Sequence, residues 1–327
     1  MRLEPRAVAH CEHIRIYRDY TMRVNGTHAE ANPNVAQKHL STELETAEAE
    51  QARMKLAAMM SRFLLVLSVL FFTGTGHGII VRHDVGQAAY DTRSIDYPAV
   101  FFLERQGMRK VCVATLIAQQ WALTAAHCAE ETSLGVATAR GGTFAVEVAG
   151  QFRKVDLVVK HPRYQQGAAD DVDLALIRFT VPLSSPRPIS LNTVKNELNK
   201  VVTIVGWGYF GIGTLGRQYA DGRMRYATNR ISQSGRYLRF KFDDPREIVS
   251  ASLPTEGMLG LGDSGGPALI ETAAGVRLAG VAVGQLVDTI YDEETQGQYG
   301  AIAIYERVAS HLQWIESVIN CGRCIIE

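Results

Sequence analysis

Three short stretches of the chain carry side chains that could act together in nucleophilic catalysis. A Leu-Thr-Ala-Ala-His-Cys stretch contains His127, an Asp-Leu-Ala-Leu stretch begins at Asp173, and a Gly-Asp-Ser-Gly-Gly-Pro stretch contains Ser264. A serine hydroxyl is a weak nucleophile, so it needs a base beside it and a carboxylate that orients the base. Glycines around a serine leave backbone N–H groups open to a substrate carbonyl. These residue types in this order therefore favour acyl transfer.

Each stretch also has an ordinary structural interpretation. A lone histidine is usually a satisfied core residue, and Asp173 could be a carboxylate at the end of a strand. Gly and Asp dominate turns, so the loop around Ser264 could be no more than a turn. Asp170 and Asp171 compete with Asp173 for the carboxylate role. The order His, Asp, Ser along the chain favours the catalytic interpretation over three coincidences.

In order and spacing, the three stretches resemble the trypsin-like (chymotrypsin-fold) serine proteases, peptidase family S1. The resemblance runs from about residue 79 to about residue 319, and it includes a Trp-Ala-Leu run at 121–123 and a Gly-Trp-Gly run at 206–208. It implies that Ser264 is the nucleophile, that His127 is the general base and then the general acid, and that Asp173 orients the imidazole. Asp173 is preferred to its neighbours because it alone precedes Leu-Ala-Leu. The N–H groups of Gly262 and Ser264 would form the oxyanion hole.

The resemblance also implies a disulfide and an activating ion pair. Cys112 and Cys128 would be bonded beside the histidine, closing a loop of about 15 residues that is worth roughly 3 kcal/mol. In the resembled family a new N-terminal Ile or Val pairs with the Asp before the nucleophile. Here these residues are Ile79, with Ile80 as the alternative, and Asp263. No Arg or Lys stands directly before Ile79, so we expect cleavage at the small-residue Gly-His-Gly run at 76–78 to free its ammonium.

The substrate pocket departs from the usual family pattern. Met258 stands six residues before the nucleophile, where an Asp would indicate a preference for Lys or Arg. Val283 and Gln285 bound a Val-Gly-Gln segment in place of the usual Ser-Trp-Gly that pairs with the substrate backbone, and Ala303 replaces a frequent Gly. The disulfide that usually flanks the nucleophile loop has no cysteines here. We therefore expect no preference for Lys or Arg, and a small or medium apolar residue on the acyl side.

Short apolar runs separated by Gly, Pro, Asn and Asp predict many short strands, which is typical of an antiparallel sandwich or barrel. The resemblance narrows this to two packed six-stranded antiparallel Greek-key β-barrels with a C-terminal α-helix. The protease domain would span 79–319, with barrels at about 79–185 and 200–305 joined by a proline-containing stretch at 181–198. Only the tail at about 305–319 has apolar residues at helical spacing. The predicted runs lie at 97–103, 111–117, 144–148, 155–159, 174–177, 201–205, 237–242, 267–270 and 276–283.

The N-terminal quarter of the chain differs from the rest. Residues 1–59 are polar and read as an unused extension, whereas the apolar run at 63–72 is too short to span a membrane. With its basic flank and small-residue exit it predicts a signal peptide at 60–78. A signal anchor on a retained N-terminus is the alternative. Removal of 1–78 would leave an even number of cysteines, which in an exported chain indicates disulfides. Cys321 and Cys324, in a short tail at 320–327, would form a small disulfide or remain two unrelated thiols.

Composition sets the remaining expectations. Of 327 residues, 46% are apolar and 21% are charged, and 34 basic residues balance 34 acidic ones. A neutral chain gives no electrostatic reason to expect a nucleic-acid or anionic-membrane partner. The sequence therefore predicts a secreted serine endopeptidase with protein or peptide substrates, protein inhibitors as a further candidate class of partner, and neither metal nor cofactor. A catalytically inactive binding protein on the same fold is the alternative function.

Overall fold

The first half of the described chain forms a six-stranded antiparallel sheet. The structure, a computed structural model, describes residues 78–166, 168, 170–286 and 296–321. The first strands along the chain are β1 (Ile80–Val81), β2 (Val100–Gln106), β3 (Arg109–Ala118), β4 (Trp121–Thr124), β5 (Phe144–Val148), β6 (Gln151–Lys160) and β7 (Ala175–Phe179). The strand order in the sheet is β2-β3-β4-β7-β6-β5, as expected for one barrel of the predicted pair.

The second half forms a larger curved sheet. The strands of this half are β8 (Ser190–Leu191), β9 (Val201–Gly206), β10 (Phe210–Ile212), β11 (Gly216–Tyr219), β12 (Arg225–Arg230), β13 (Gln233–Ser234), β14 (Tyr237–Lys241), β15 (Gly257–Met258), β16 (Pro267–Thr272), β17 (Gly275–Leu286) and β18 (Ile302–Arg307). The order in the larger sheet is β12-β9-β16-β17-β18-β14-β13, and β8 runs parallel to β17. The strands β10, β11 and β15 form a separate four-stranded sheet with β1, in the order β11-β10-β1-β15. The predicted all-β fold of two curled sheets is confirmed, with β8 and β13 as two-residue additions to the second one.

The first strand does not belong to the first barrel. Ile80 pairs with Met258 in β15 and with Gly211 in β10. The prediction that the first barrel begins at about residue 79 is wrong at this point, because both hydrogen-bonding edges of β1 are satisfied by strands from the second half. This pairing carries the buried Ile79 toward the loop that contains Ser264.

α-Helices occur in two places among the described residues. The prediction of helix in the tail alone is wrong, because α1 (Cys128–Glu131) and α2 (Ser133–Ala139) follow His127. The terminal helix α3 (Leu312–Cys321) begins after the predicted start near 305. Tyr305 lies instead in β18, where it pairs with Leu238 and Ala282 and is buried. The apolar spacing at 305–319 could not distinguish the last strand from the first helical turn.

Two apolar clusters hold the sheets together. The first lies largely within the first sheet, where the Phe101 and Phe179 rings lie 5.9 Å apart, and it also contains Ile315 of α3. The second contains Ile80 and Phe240. Full burial of a large apolar side chain contributes about 1.5–3 kcal/mol, so these clusters supply most of the stabilisation.

Several sequence predictions lie outside the described residues. They concern the extension at 1–59, the signal peptide at 60–78 except Gly78, and Cys324. Cys321 is a free thiol at the end of α3. No helix in the described ranges is long and apolar enough to cross a membrane.

Candidate active site

His127 and Asp173 are brought together by two neighbouring strands. His127 lies three residues after the end of β4, and Asp173 lies two residues before the start of β7. Because β4 and β7 pair antiparallel, with Thr124 opposite Ala175, these two chain segments meet at one edge of the sheet. The His127 Nδ1 atom lies 2.5 Å from Asp173 Oδ2, and the His127 backbone N–H donates to Asp173 Oδ1 at 2.9 Å. The carboxylate therefore fixes both the ring and the backbone of the histidine.

The neighbouring carboxylates do not share this contact. Asp171 Oδ1 accepts a hydrogen bond from the Gln165 N–H at 2.7 Å and so stabilises its own loop. Asp170 is exposed. Of the three adjacent aspartates, Asp173 is the one that contacts His127.

The environment of His127 has opposing effects on its basicity. The residue is buried, with 9% of its surface exposed, and burial by itself lowers its pKa. The hydrogen bond and negative charge of Asp173 outweigh burial, so the pKa of His127 is raised. With Nδ1 directed at Asp173, Nε2 is the nitrogen left to exchange a proton with another group.

The serine loop is anchored next to this pair. The Ser264 carbonyl accepts a hydrogen bond from the Val113 N–H at 2.7 Å. Cys112, the neighbour of Val113, forms a disulfide with Cys128, the neighbour of His127, as the resemblance implied. Within the described ranges the half-buried Ser264 hydroxyl makes no hydrogen bond to His127, and such contacts are often long in structures without substrate.

Two backbone donors next to Ser264 remain open. Gly262 has φ +100°, and a Cβ there would lie 2.8 Å from the Lys110 carbonyl oxygen, so only glycine fits. Nowhere in the described part of the chain is there a protein acceptor for the N–H of Gly262 or of Ser264, whereas the Gly265 N–H donates to Ala282 at 2.8 Å. Buried donors are normally paired, so this geometry suits an external oxygen acceptor.

Asp263 is buried beneath the serine loop. Its carboxylate accepts hydrogen bonds from the Gly208 N–H at 2.6 Å and the Gly260 N–H at 2.8 Å. Burial raises the pKa of Asp263 to about 6, even though these hydrogen bonds favour the charged form. Gly78 lies close by, since a Cβ on it would be 2.9 Å from the Gly208 carbonyl oxygen. Ile79 follows with φ +67°, a strained value for a β-branched residue.

The sequence interpretation missed a buried cation near Asp263. Arg225 is 0% exposed and pairs with Gly206, which packs so closely against the Asp263 carboxylate that a Cβ there would strike Oδ1. Its ion pairs with Asp91 and Asp221 are long, at 3.5 and 3.6 Å. Burial lowers the pKa of Arg225 to about 9, and the charge of Asp263 opposes that shift. Residues 225–230 had not been predicted as a strand, so no pattern indicated an inward-facing arginine.

The sequence interpretation also missed a second buried carboxylate, which lies behind the His127–Asp173 pair. Glu306 Oε1 accepts a hydrogen bond from the Asp173 N–H at 3.1 Å, and Oε2 lies 3.2 Å from His311 Nε2. Glu306 directly follows the run Ile-Ala-Ile-Tyr at 302–305 in β18, and a charged residue that continues such a strand was the available indication of an inward-facing polar group.

Three of the four predicted pocket residues are connected in the structure. Met258 is fully buried and lies next to Leu259, whose carbonyl accepts a hydrogen bond from Gln285 Nε2 at 3.0 Å. Ala303 pairs with Gln285 across β17 and β18. Val283 lies two residues earlier in β17 and is half-buried. The Gln285 amide therefore joins two segments in the region where the resembled family usually has a disulfide.

One grouping in the described chain has metal-ligand residue types. Atoms of Cys112, His127 and Cys128 lie within 4.8 Å of one another. Both sulfurs are consumed by the disulfide and are not thiolates, and the thiolate is the form that binds metals.

Comparisons with known proteins agree with the fold. The family model described as Trypsin matches residues 84–315, and because it spans more than half of the chain, the protein belongs to the trypsin family of serine endopeptidases. Trypsin from Phaedon cochleariae is 24% identical over 273 residues, which cover 78% of this chain and 98% of that protein. Transmembrane protease serine 9 from Rattus norvegicus is 32% identical over 188 residues, which cover 54% of this chain but only 17% of that much longer relative.

A solved structure supports the same architecture. The structure of neuropsin, a serine protease expressed in the limbic system of mouse brain, matches with a TM-score of 0.51 and 18% identity. The match covers 70% of this chain and 98% of that one. At this identity the likeness shows the fold alone.

Proposed function

We propose that this protein is a secreted serine endopeptidase that hydrolyses peptide bonds through an acyl-enzyme intermediate. The observation that carries the proposal is the double hydrogen bond from His127 to Asp173 beside the anchored Ser264 loop. Protein and peptide chains are the substrates that family membership implies.

In this mechanism Ser264 Oγ attacks the carbonyl carbon of the scissile bond while its proton passes to His127 Nε2. Asp173 holds the imidazole tautomer and stabilises the imidazolium. His127 then donates the proton to the leaving amine, and the acyl-enzyme forms. A water molecule, deprotonated by the same histidine, attacks the acyl carbonyl, and the returning proton releases Ser264.

Charge that develops on the carbonyl oxygen would be stabilised by the two open N–H groups of Gly262 and Ser264. Their lack of a protein acceptor supports this role, because a donor already paired would have to break that hydrogen bond first. Removal of one such donor in comparable enzymes costs about 10²–10³ in kcat.

Activation by a new N-terminus fits the placement of β1. The pairing of Ile80 with Met258 holds Ile79 near the Gly208 segment that hydrogen-bonds Asp263. Cleavage after Gly78 would free an ammonium at Ile79 to pair with Asp263. The unfavourable φ of Ile79 exists only while the Gly78–Ile79 bond is intact, so cleavage also removes that strain.

Substrate selection would follow from the pocket residues. The fully buried Met258 offers no counter-charge to a Lys or Arg side chain, and burial of an unpaired cation is costly. The Gln285 amide crosses from β17 to Leu259 and limits the space on the acyl side. An apolar acyl-side residue of small or medium size is the substrate feature that fits.

A serine-directed active-site reagent provides the test. A fluorophosphonate probe should label the purified protein at Ser264, and labelling should disappear in Ser264→Ala and fall sharply in His127→Ala. Ser250→Ala serves as the control, because Ser250 lies in another loop and should leave labelling unchanged. A folded wild-type protein that neither reacts nor cleaves any peptide would favour the alternative of an inactive binding protein on this fold.

A further inference from the structure

Lys110 is a half-buried lysine beside the loop of Gly262. Its carbonyl oxygen would lie 2.8 Å from a Cβ at Gly262. Its ammonium nitrogen lies 4.4 Å from the centre of the Phe102 ring and 5.3 Å from that of Trp207. In the described part of the chain no carboxylate forms an ion pair with it. This cation is thus held by aromatic faces and has no protein counter-charge in contact.

The hydrogen bonds of one peptide group place Lys110 relative to the scissile bond. The Ser264 C=O and the Gly265 N–H belong to the same peptide group and, in a trans peptide, point in opposite directions. The carbonyl accepts from Val113 in β3, whereas the N–H donates to Ala282 in β17. The strands β3 and β17 therefore lie on opposite sides of the nucleophile.

This arrangement places β17 on the acyl side of the scissile bond and β3 on its leaving-group side. The segment of β17 after Ala282 is the one expected to pair with the acyl side of the substrate. A substrate that crosses Ser264 from β17 then leads toward β3, where Lys110 lies on the leaving-group side. The Phe102 and Trp207 rings, 5.7 Å apart in an edge-to-face arrangement, hold its ammonium there.

The electrostatic surroundings of Lys110 favour binding of an anionic group. Burial lowers the pKa of Lys110 to about 8, so the ammonium stays mostly charged at neutral pH although it has lost part of its hydration. The charge of Arg105 lowers this pKa further, and the charges of Glu147 and Asp221 raise it. Arg109 adds positive charge nearby, with its guanidinium 5.7 Å from the Tyr209 ring, and the Tyr209 N–H donates to Leu261.

We infer that Lys110 is a specificity-determining residue that binds a Glu or Asp side chain within the first three residues on the leaving-group side of the scissile bond. The inference rests on the proposed function. A carboxylate there would meet a partly desolvated ammonium, where an ion pair is worth more than one in bulk water.

The test uses internally quenched peptides with one acyl-side sequence and Glu, Gln or Lys at each of the first three leaving-group positions. An anilide with the same acyl side and no residue after the scissile bond reports on the fold and the catalytic residues. We expect the wild type to favour Glu over Gln by about fivefold in kcat/KM at one position, the size of a good ion pair at a partly exposed site. Lys110→Gln should abolish the preference, Lys110→Arg should keep it, and the exposed-lysine control Lys195→Gln should leave it unchanged.

A second readout comes from pH. The preference for Glu should decline as the pH rises past about 8, because Lys110 then loses its charge. A wild type that cleaves the anilide but shows no Glu preference at any position would overturn the inference, as would a Lys110→Gln variant that keeps the preference. A folded wild type that cleaves neither the anilide nor any peptide would overturn the proposed function, and this inference with it.

Discussion

The Glu306 carboxylate accepts a hydrogen bond from the Asp173 backbone N–H at 3.1 Å, so one buried carboxylate positions another. The second Glu306 oxygen lies 3.2 Å from His311 Nε2, which ties this contact to the segment before α3. Asp173 in turn contacts both the ring and the backbone of His127. We therefore expect Glu306 to act through Asp173 as a positioning residue in the proposed mechanism.

Replacement of Glu306 should impair kcat more than KM. In Glu306→Ala two buried donors lose their acceptor, which costs about 1–3 kcal/mol of stability per unpaired group, and Asp173 is no longer held in place. We expect kcat to fall about tenfold, since small misplacements of catalytic groups are expensive. Glu306→Gln, which keeps one acceptor oxygen, should recover part of the loss. Steady-state kinetics and thermal melting check both effects, with Glu271→Gln on β16 of the same sheet as the exposed control. Equal kcat in Glu306→Ala and the wild type would contradict the positioning role.

The pH dependence of activity should reflect the raised pKa of His127. Only the neutral imidazole can accept the Ser264 proton, and an elevated pKa keeps the ring protonated to higher pH. Activity should therefore rise with pH and reach half of its maximum above the ordinary histidine value of about 6.5. The profile of kcat/KM between pH 5 and pH 9 measures this. Removal of the Asp173 charge in Asp173→Asn should shift the midpoint of the residual activity downward; a flat profile in the wild type would exclude a histidine base.

Substrates with Lys or Arg on the acyl side should not be preferred. Met258 supplies no carboxylate, and Gln285 spans the pocket region to Leu259. A set of anilides that differ only in that residue should show Ala, Val or Leu cleaved at least as fast as Arg. Gln285→Ala removes the crossing amide and should raise kcat/KM for Phe relative to Ala by about threefold or more, within the range of small changes in pocket volume. A strong Arg preference in the wild type would mean that another carboxylate reaches the pocket.

The activation proposal predicts a defined N-terminus. Active secreted material should begin at Ile79, as read by N-terminal sequencing, and material that retains residues upstream of Gly78 should be far less active. Asp263→Asn should lose most activity while the protein still folds, because the buried ammonium would lose its charged partner and the oxyanion loop its organising contact. The matched control is Asp244→Asn, a half-buried carboxylate paired with the exposed Arg246. Full activity in material that begins upstream of Gly78 would refute the mechanism.

Much of the site could be predicted from sequence because its chemistry depends on side chains that occur in short local motifs. The loop around Ser264 needs glycine at 262, where φ is positive and a side chain would strike Lys110. Such local requirements leave recognisable residues in a fixed order. Short apolar runs separated by Gly, Pro, Asn and Asp likewise predicted most long strands, including β5 at its observed bounds.

Other features depended on partners that are distant in the chain. The Leu-Ala-Leu motif after Asp173 favours this residue over Asp171. The contact of Asp173 with His127 itself results from the antiparallel pairing of β4 with β7. The placement of β1 with the second half, and of Tyr305 in a strand rather than a helix, depended on which strands offered free hydrogen-bonding edges.

By itself, the sequence determined the class of chemistry, because nucleophile, base and carboxylate are properties of individual side chains in short motifs. Only the tertiary structure decided which groups surround them. Glu306 behind Asp173, Arg225 near Asp263 and Lys110 beside Gly262 are each far from their neighbours along the chain. These residues affect the site only because the folded sheets place them next to it, since electrostatic and hydrogen-bond energies depend on distance in space and on the surrounding solvent.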